Sequence, residues 1–303
     1  MRIVESEMPR GASRAVQVSL AALFAGAIAI AFAPIFVRLS QVGPTATAFW
    51  RVTLALPALW SWAWMEERGA SGARQALSRR DYGRLILAGL FFAGDLGVWH
   101  WSIKFTSVAN ATLLANFAPV FVTLGSWLIF KQRVAPTFLV GMVGALAGTV
   151  LIVGVSVNLS MQHLLGDGLG LVTAVFYGGY ILSVKNLRSE FSTATVMAWA
   201  SLVTAIVLLP VTLLFGEGLL PVDMTGWEIL LGLALLSQVG GQGLIAFALA
   251  HLPASFSSVT LLVQPVMATV FAWLILSETI TPLQGVGGVL VLAGIFVARR
   301  ASA

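Results

Sequence analysis

Ten runs of about 20 apolar residues follow one another along this chain, with mostly short polar connections between them. A helix of roughly 20 apolar residues crosses the ~30 Å core of a bilayer, so each run is long enough to span a membrane. Of the 303 residues, 58% are hydrophobic and 10% are charged, whereas soluble domains contain roughly 25% charged residues. This pattern predicts an all-α membrane protein without a sizeable soluble domain. The predicted helices span residues 16–37, 44–65, 82–104, 107–130, 134–155, 167–186, 193–214, 226–249, 254–276 and 281–298.

The first apolar run raises the question of a cleaved signal peptide. Arg2, Arg10 and Arg14 precede it, and residues 31–33 (Ala-Phe-Ala) resemble a cleavage site. However, the run from 16 to 37 exceeds the roughly 7–15 residues of a typical signal core. We therefore interpret it as the first transmembrane helix.

The basic residues are distributed unevenly between the two ends of the predicted helices. With a cytoplasmic N-terminus, 14 of the 17 Lys and Arg residues fall on the cytoplasmic side. Only Arg38 and Lys104 then fall outside, and Arg51 falls within a helix. Because basic residues collect on the cytoplasmic side, we expect a multi-pass protein of the inner (plasma) membrane with both termini in the cytoplasm. The net charge of +5 is then explained by the basic residues that orient the chain in the membrane, and no nucleic-acid partner is expected.

The sequence excludes several kinds of chemistry. It contains no cysteine, so disulfides, thiolate catalysis and cysteine-bound metals are absent. It has no His-Glu-x-x-His zinc motif, no Gly-x-Ser-x-Gly elbow and no ATP-binding motif. We therefore expect no enzyme activity, no cofactor and no metal. An intramembrane enzyme and a lipid scramblase remain as alternative classes.

An internal repeat appears when the chain is shifted on itself by 146 residues. Between positions 119 and 148, 13 of 30 residues are identical without a gap. The shift pairs Pro119 with Pro265 and Trp127 with Trp273. The third to fifth predicted helices thus match the eighth to tenth, and we predict two five-helix repeats, at 1–155 and 156–303.

The odd number of helices in each repeat has a structural consequence. The second repeat must enter the membrane from the opposite side, which gives two inverted repeats. This architecture is found in many secondary transporters, with the substrate site between the repeats near the middle of the bilayer. We therefore predict a central cavity and alternating access, although channels also contain inverted repeats.

Three segments carry a family resemblance. They are TAFWRVTLALPAL (47–59), FTSVANATLLANFAPVFVTLGSWLIF (105–130) and LPASFSSVTLLVQPVMATVFAWLILSETIT (252–281). They resemble EamA-type transporters of the drug/metabolite transporter superfamily, and within these the YddG-type amino-acid exporters. The resemblance covers nearly the whole chain. It implies export of small metabolites, including aromatic amino acids, or of drugs. The family carries Glu after each proline-containing helix, where this chain has Gln132 and Glu278.

Asp95 is the most unusual residue in the predicted helices. It lies nine residues before Lys104, about 14 Å from the outer end of its helix. Ionisable residues at such depth are costly and are functional candidates by default. Arg51 lies at a similar depth, about 10 Å, so the two residues can meet. Asp95 therefore has two possible roles: it forms a structural ion pair with Arg51, or it acts directly on substrate or protons.

The predicted substrate pathway also includes aromatic and uncharged polar residues. Trp99 shares a helix face with Asp95, although tryptophans also mark membrane interfaces. Polar residues line up on four further helices, and such faces contact protein or water rather than lipid. Hydrogen bonding between helices is the alternative explanation for them. The predicted pathway residues are Asp95, Trp99, His100, Trp101, Asn110, Asn116, Tyr177, Tyr180, Gln238, Gln242, Ser257 and Gln264.

The expected partners follow from this interpretation. They are a small-molecule substrate, with amino acids expected, and the surrounding membrane lipids; a monomer suffices. Amide groups and aromatic rings suit a zwitterion with an apolar side chain. The many glycines of the fifth and tenth predicted helices instead indicate close helix packing.

Overall fold

A computed structural model describes residues 10–69, 77–106, 108–154 and 160–302, without the side chains of 10–13, 100, 103, 108, 109 and 302. All regular structure in these residues is helical. The helices are α1 (Arg10–Ile30), α2 (Ala33–Leu39), α3 (Pro44–Thr53), α4 (Leu56–Gly69), α5 (Arg79–Phe105), α6 (Val108–Ala115), α7 (Ala118–Phe130), α8 (Pro136–Val153), α9 (Met161–Leu187), α10 (Thr193–Leu214), α11 (Met224–Gly232), the π segment (Leu233–Gln242), α12 (Gly243–Leu249), α13 (Ala254–Thr260), α14 (Val263–Leu276) and α15 (Pro282–Ser302).

Within the described residues, eight helical stretches are long and apolar enough to cross a membrane. They are Arg14–Leu39, Asn110–Phe130, Pro136–Val153, Met161–Leu187, Thr193–Leu214, Met224–Leu249, Ala254–Leu276 and Pro282–Ala301. The two other predicted spans correspond to the broken pair α3–α4 and to α5, which has 27 residues and carries Asp81, Arg84 and Asp95. The structure therefore shows a multi-pass helical protein.

Four predicted helices are interrupted rather than continuous. The breaks lie between α1 and α2, α3 and α4, α6 and α7, and α13 and α14. In each case a proline follows within a few residues: Pro34, Pro57, Pro119 or Pro265. Proline lacks the N–H that would continue the ladder, and its ring clashes with the preceding turn. Neighbouring helices allow such interruptions at membrane depth.

Helices α8 and α15 pack closely along their glycines, as the sequence predicts. A Cβ added to Gly141 would lie 2.6 Å from the carbonyl oxygen of Gly294, and one added to Gly148 would lie 2.6 Å from that of Gly287. As the residue numbers increase along α8, the numbers of the contacting residues on α15 decrease, so the two helices are antiparallel. The 146-residue shift exchanges these two contacts with each other. The close approaches between α8 and α15 are thus reciprocal under the shift.

Contacts between helix ends define two faces of the protein. On the proximal face, which carries the start of α1, Ser19 Oγ lies 3.1 Å from His251 Nδ1. On the opposite, distal face, the Thr45 hydroxyl donates to Glu217 at 3.0 Å. Between the faces, α5 packs along α9, α10 packs against α3, α4 and α5, and α1 packs against the π segment and α12.

Candidate functional site

A cavity of about 230 Å³ lies in the middle of the helices and extends into their distal half. Its lining comes from α1 and α2, α5, α6 and α7, α9, the π segment, and α13 and α14, and includes Arg51 of α3. Three of the helix breaks border it, through Ala31, Asn116 and Leu261. Discontinuous helices at mid-membrane expose backbone groups that ordinary helices bury, and transporters use them to bind substrates.

Arg51 is the positive charge of this cavity. Its side chain lines the cavity, although the residue is only 9% exposed. The Nε group donates to Gln238 Oε1 at 3.0 Å, and the guanidinium lies 5.9 Å from the centre of the Phe92 ring. No described residue accepts a hydrogen bond from the two terminal nitrogens. These nitrogens are the donors that a bidentate contact with a carboxylate needs.

Asp95 is the negative charge of the same cavity. It lines the cavity and interacts electrostatically with Arg51, but within the described part of the chain it forms neither an ion pair nor a hydrogen bond. A partly buried carboxylate without hydrogen-bond partners is costly in a helix at membrane depth. The cavity therefore presents one positive and one negative group that are available to a ligand.

Aromatic rings form the wall behind these charges. Phe92 stacks on Tyr180 with ring centres 4.6 Å apart, and Tyr180 stacks on Tyr177 at 6.4 Å. Tyr177 lines the cavity beside Gln242 and Gln264, whereas Tyr180 is 3% exposed and lies behind it. The wall thus offers an apolar surface next to amide groups.

The structure brings six of the predicted pathway residues together around the cavity: Asp95, Trp99, Asn116, Tyr177, Gln242 and Gln264. Five others lie outside the lining: Trp101, Asn110, Tyr180, Gln238 and Ser257. The side chain of His100 lies outside the described part of the structure.

The residues outside the lining have other contacts. Asn110 donates to Asp167 at 3.4 Å, and Trp101 packs edge-on against Phe215 at 4.5 Å. Ser257 donates its hydroxyl hydrogen bond to the carbonyl of Pro253, one turn earlier in the chain, at 2.9 Å. In this structure these side chains contact neighbouring residues and lie outside the cavity lining.

Several lining residues were not among the predicted pathway residues. Arg51 was considered only as a partner of Asp95, and Phe92 carries no polar signal. Ser258 lines the cavity where Ser257 was predicted. Pro34, Pro119 and Pro265 also line the cavity. In the sequence they stand out only because each is a proline within an apolar run.

Side-chain hydrogen bonds join neighbouring helices on the proximal face. Arg188, at the end of α9, donates from Nε to the carbonyl of Ala246 in α12 at 3.1 Å. Arg84 makes two hydrogen bonds to Glu190, at 2.6 and 3.0 Å, and these hold the pKa of the Glu190 carboxyl below its usual value.

Helix packing differs between the two faces. On the proximal side, α7 packs against α13. The 146-residue shift converts α7 into α14 and α13 into α6. No comparable packing joins α6 to α14 among the described residues. On the distal face, the Arg38–Glu278 ion pair instead joins the end of α2 to the segment after α14, while Gln132 is exposed.

These features define a multi-pass α-helical membrane protein with a small, charged central cavity. The profile of the EamA-like transporter family matches residues 17–154 and again residues 164–300. The chain belongs to the EamA-like transporter family.

Relatives with assigned roles are transporters and exporters. A probable terminal-alkyne amino-acid exporter of Streptantibioticus cattleyicolor is 29% identical, covering 90% of this chain and 89% of the relative. The pseudopaline exporter CntI of Pseudomonas aeruginosa is 26% identical, covering 74% and 78%. A solved crystal structure shares the fold, with a TM-score of 0.79 and 19% identity over 95% of this chain and 98% of the other.

Proposed function

We propose that this chain is a secondary transporter that exports small zwitterionic metabolites, amino acids among them, across the inner membrane. The observation that carries the proposal is the pair of opposite charges, Arg51 and Asp95, that face one cavity without an ion pair between them. The family and its relatives are transporters rather than enzymes. Two relatives are named as a probable terminal-alkyne amino-acid exporter and a probable amino-acid metabolite efflux pump, which supports the substrate class.

The charges and the size of the cavity favour an amino acid over a drug. Arg51 would bind the substrate carboxylate, Asp95 would bind the ammonium group, and Phe92 and Tyr177 would contact the side chain. A volume of about 230 Å³ is smaller than the roughly 300–1,000 Å³ of sites for drug-sized ligands. Trp99, Asn116, Gln242 and Gln264 complete the proposed contacts.

Two inverted repeats, at 1–155 and 156–303, would supply alternating access. Supporting observations are the double match to the family profile and the reciprocal glycine contacts of α8 and α15. The boundary at 155/156 lies outside the described residues. We count ten spans by adding α3–α4 and α5 to the eight apolar stretches. Because one chain contains both repeats, a monomer in lipid would suffice.

The packing difference between the faces supports an outward-open state. We place the proximal face in the cytoplasm, because most basic residues lie there. The packed α7–α13 pair would then close the cytoplasmic side, and separation of α6 from α14 would open the cavity outward. In the opposite, inward-open state, α6 would pack against α14, and α7 would separate from α13.

Topology can be measured with reporter fusions. We expect a fusion at Ala303 to report the cytoplasm and one inserted before Met161 to report the outside, because the basic residues orient the chain. Both fusions are compared with untagged chain for insertion. An external signal from Ala303 would contradict the orientation and the proposed outward-open state.

Transport itself is tested with purified chain in proteoliposomes. We expect saturable, stereoselective uptake of labelled L-phenylalanine that excess unlabelled L-amino acid suppresses and D-phenylalanine suppresses less. Empty liposomes provide the background, and a fluorescent phospholipid tests scrambling in the same vesicles. Lipid scrambling without saturable amino-acid flux would reject the proposed function in favour of a scramblase.

A further inference from the structure

Gln238 holds Arg51 from the side opposite the cavity. Gln238 is completely buried, and its Oε1 accepts the hydrogen bond from Arg51 Nε at 3.0 Å. Its Nε2 donates to Ser201 Oγ at 3.2 Å, and Ser201 is also completely buried. A chain of hydrogen bonds thus runs from α10 through the π segment to α3.

This chain fixes the direction of the guanidinium. Arg51 can only donate, so the Gln238 amide turns its oxygen toward Arg51, and its Nε2 group then donates to Ser201. The Nε–H group of Arg51 is thereby occupied by its hydrogen bond to Gln238, and the two terminal nitrogens can donate to a ligand in the cavity. Since a guanidinium is planar and rigid, fixing Nε also fixes the plane of these two donors.

The neutral amide suits this task better than its alternatives. A carboxylate would neutralise Arg51 and compete with a substrate carboxylate. An apolar side chain would leave a buried Nε–H without an acceptor, which is costly. Gln238 also lies in a ten-residue π segment, and π-helical turns occur frequently at functional sites.

We propose that Gln238 is a positioning residue, which holds Arg51 ready to bind the carboxylate of the substrate without contacting the substrate itself. Ser201 supports Gln238 in the same role. This inference rests on the proposed function. It predicts that Gln238 affects affinity only for ligands that carry a carboxylate.

The test compares Gln238→Met with the parent chain in proteoliposomes, using two probes that differ in one group. L-Phenylalanine carries the carboxylate, and 2-phenylethylamine lacks it and serves as a competitor. We expect the variant to raise the KM of phenylalanine about tenfold, since a hydrogen bond to a charged group is weakened. The inhibition constant of 2-phenylethylamine should stay within about twofold of the parent value.

Two further variants sharpen the comparison. Gln238→Glu should also raise the KM of phenylalanine, because it neutralises Arg51, while keeping an acceptor for Nε. Ser201→Ala should change the KM in the same direction by a smaller factor. Equal weakening of both probes, or a fall in maximal rate alone, would show a merely structural role and overturn the proposal. If the parent chain takes up no phenylalanine, the proposed function itself is wrong, and this inference falls with it.

Discussion

Replacing Arg51 with Gln is expected to lower the affinity for an amino acid by about 10- to 150-fold. The substitution removes a charge-assisted contact with the carboxylate, and such contacts contribute roughly 1.5–3 kcal/mol. Asp95→Asn should have a similar effect through the ammonium group. The measurement is the KM for L-phenylalanine uptake, normalised to inserted protein. Arg133→Gln removes the same charge from an exposed position and serves as the matched control.

The double variant separates substrate binding from a structural role. If Arg51 and Asp95 only neutralise each other, each single variant leaves an unpaired buried charge, and the double variant should recover. If both bind substrate, the double variant should transport at least as poorly as either single variant. Recovery of parental uptake in the double variant would contradict the proposed binding site. Thermal unfolding in detergent shows whether the fold survives.

The general architecture was predictable because hydrophobic length and charge act locally along the chain. The glycines at 141, 148, 287 and 294 also carry a clear signal, since repeated glycines in two apolar helices indicate close helix packing. Their contacts bear out that interpretation. Sequence alone could not show which glycines face each other, because this depends on the antiparallel pairing of two distant helices.

The site was less predictable where the helices depart from regular geometry. Ser257, Thr260 and Gln264 share one face of an ideal helix, but the interruption between α13 and α14 separates them. Ser257 and Thr260 bond to their own helix carbonyls, and Gln264 lines the cavity. An ideal helical periodicity cannot anticipate such an interruption.

The π segment has a related effect. Gln238 and Gln242 are four residues apart, a spacing that places both on one face of an ideal α-helix. Within the π segment the hydrogen-bond ladder skips five residues instead of four, which changes the angular spacing of side chains. Gln242 reaches the cavity, whereas Gln238 lies behind it against Arg51. The contacts of Gln238 depend on partners in α3 and α10, which are distant in sequence.

Cross-links between helices should distinguish the two states of the transporter. The chain has no native cysteine, so pairs can be introduced without background. Val122 and Ser258 are both buried, on the helices α7 and α13 that pack on the proximal side, and Ser258 also borders the cavity. The 146-residue shift converts them into Ala268 of α14 and Thr112 of α6, which line the open cavity.

A pair of cysteines at Thr112 and Ala268 is expected to cross-link only in the opposite state. A short bifunctional thiol reagent should then trap that state, and uptake should fall to the level of empty liposomes, because alternating access needs both arrangements. Each single-cysteine variant should retain uptake after the same treatment. When the cross-linking reagent contains a reducible bond, reduction should restore uptake by the double-cysteine variant.

The reciprocal pair provides the complementary test. Cysteines at Val122 and Ser258 should cross-link in the state described here and also stop uptake, while the cavity stays accessible to a thiol label from the distal face. As a control, Thr106 and Asp167 join helices α5 and α9, which pack along each other, and their side chains lie 2.7 Å apart. A cross-link there should leave uptake intact. Full uptake after complete cross-linking of Thr112→Cys with Ala268→Cys would reject the exchange of helix contacts, because that exchange requires these positions to separate in every cycle.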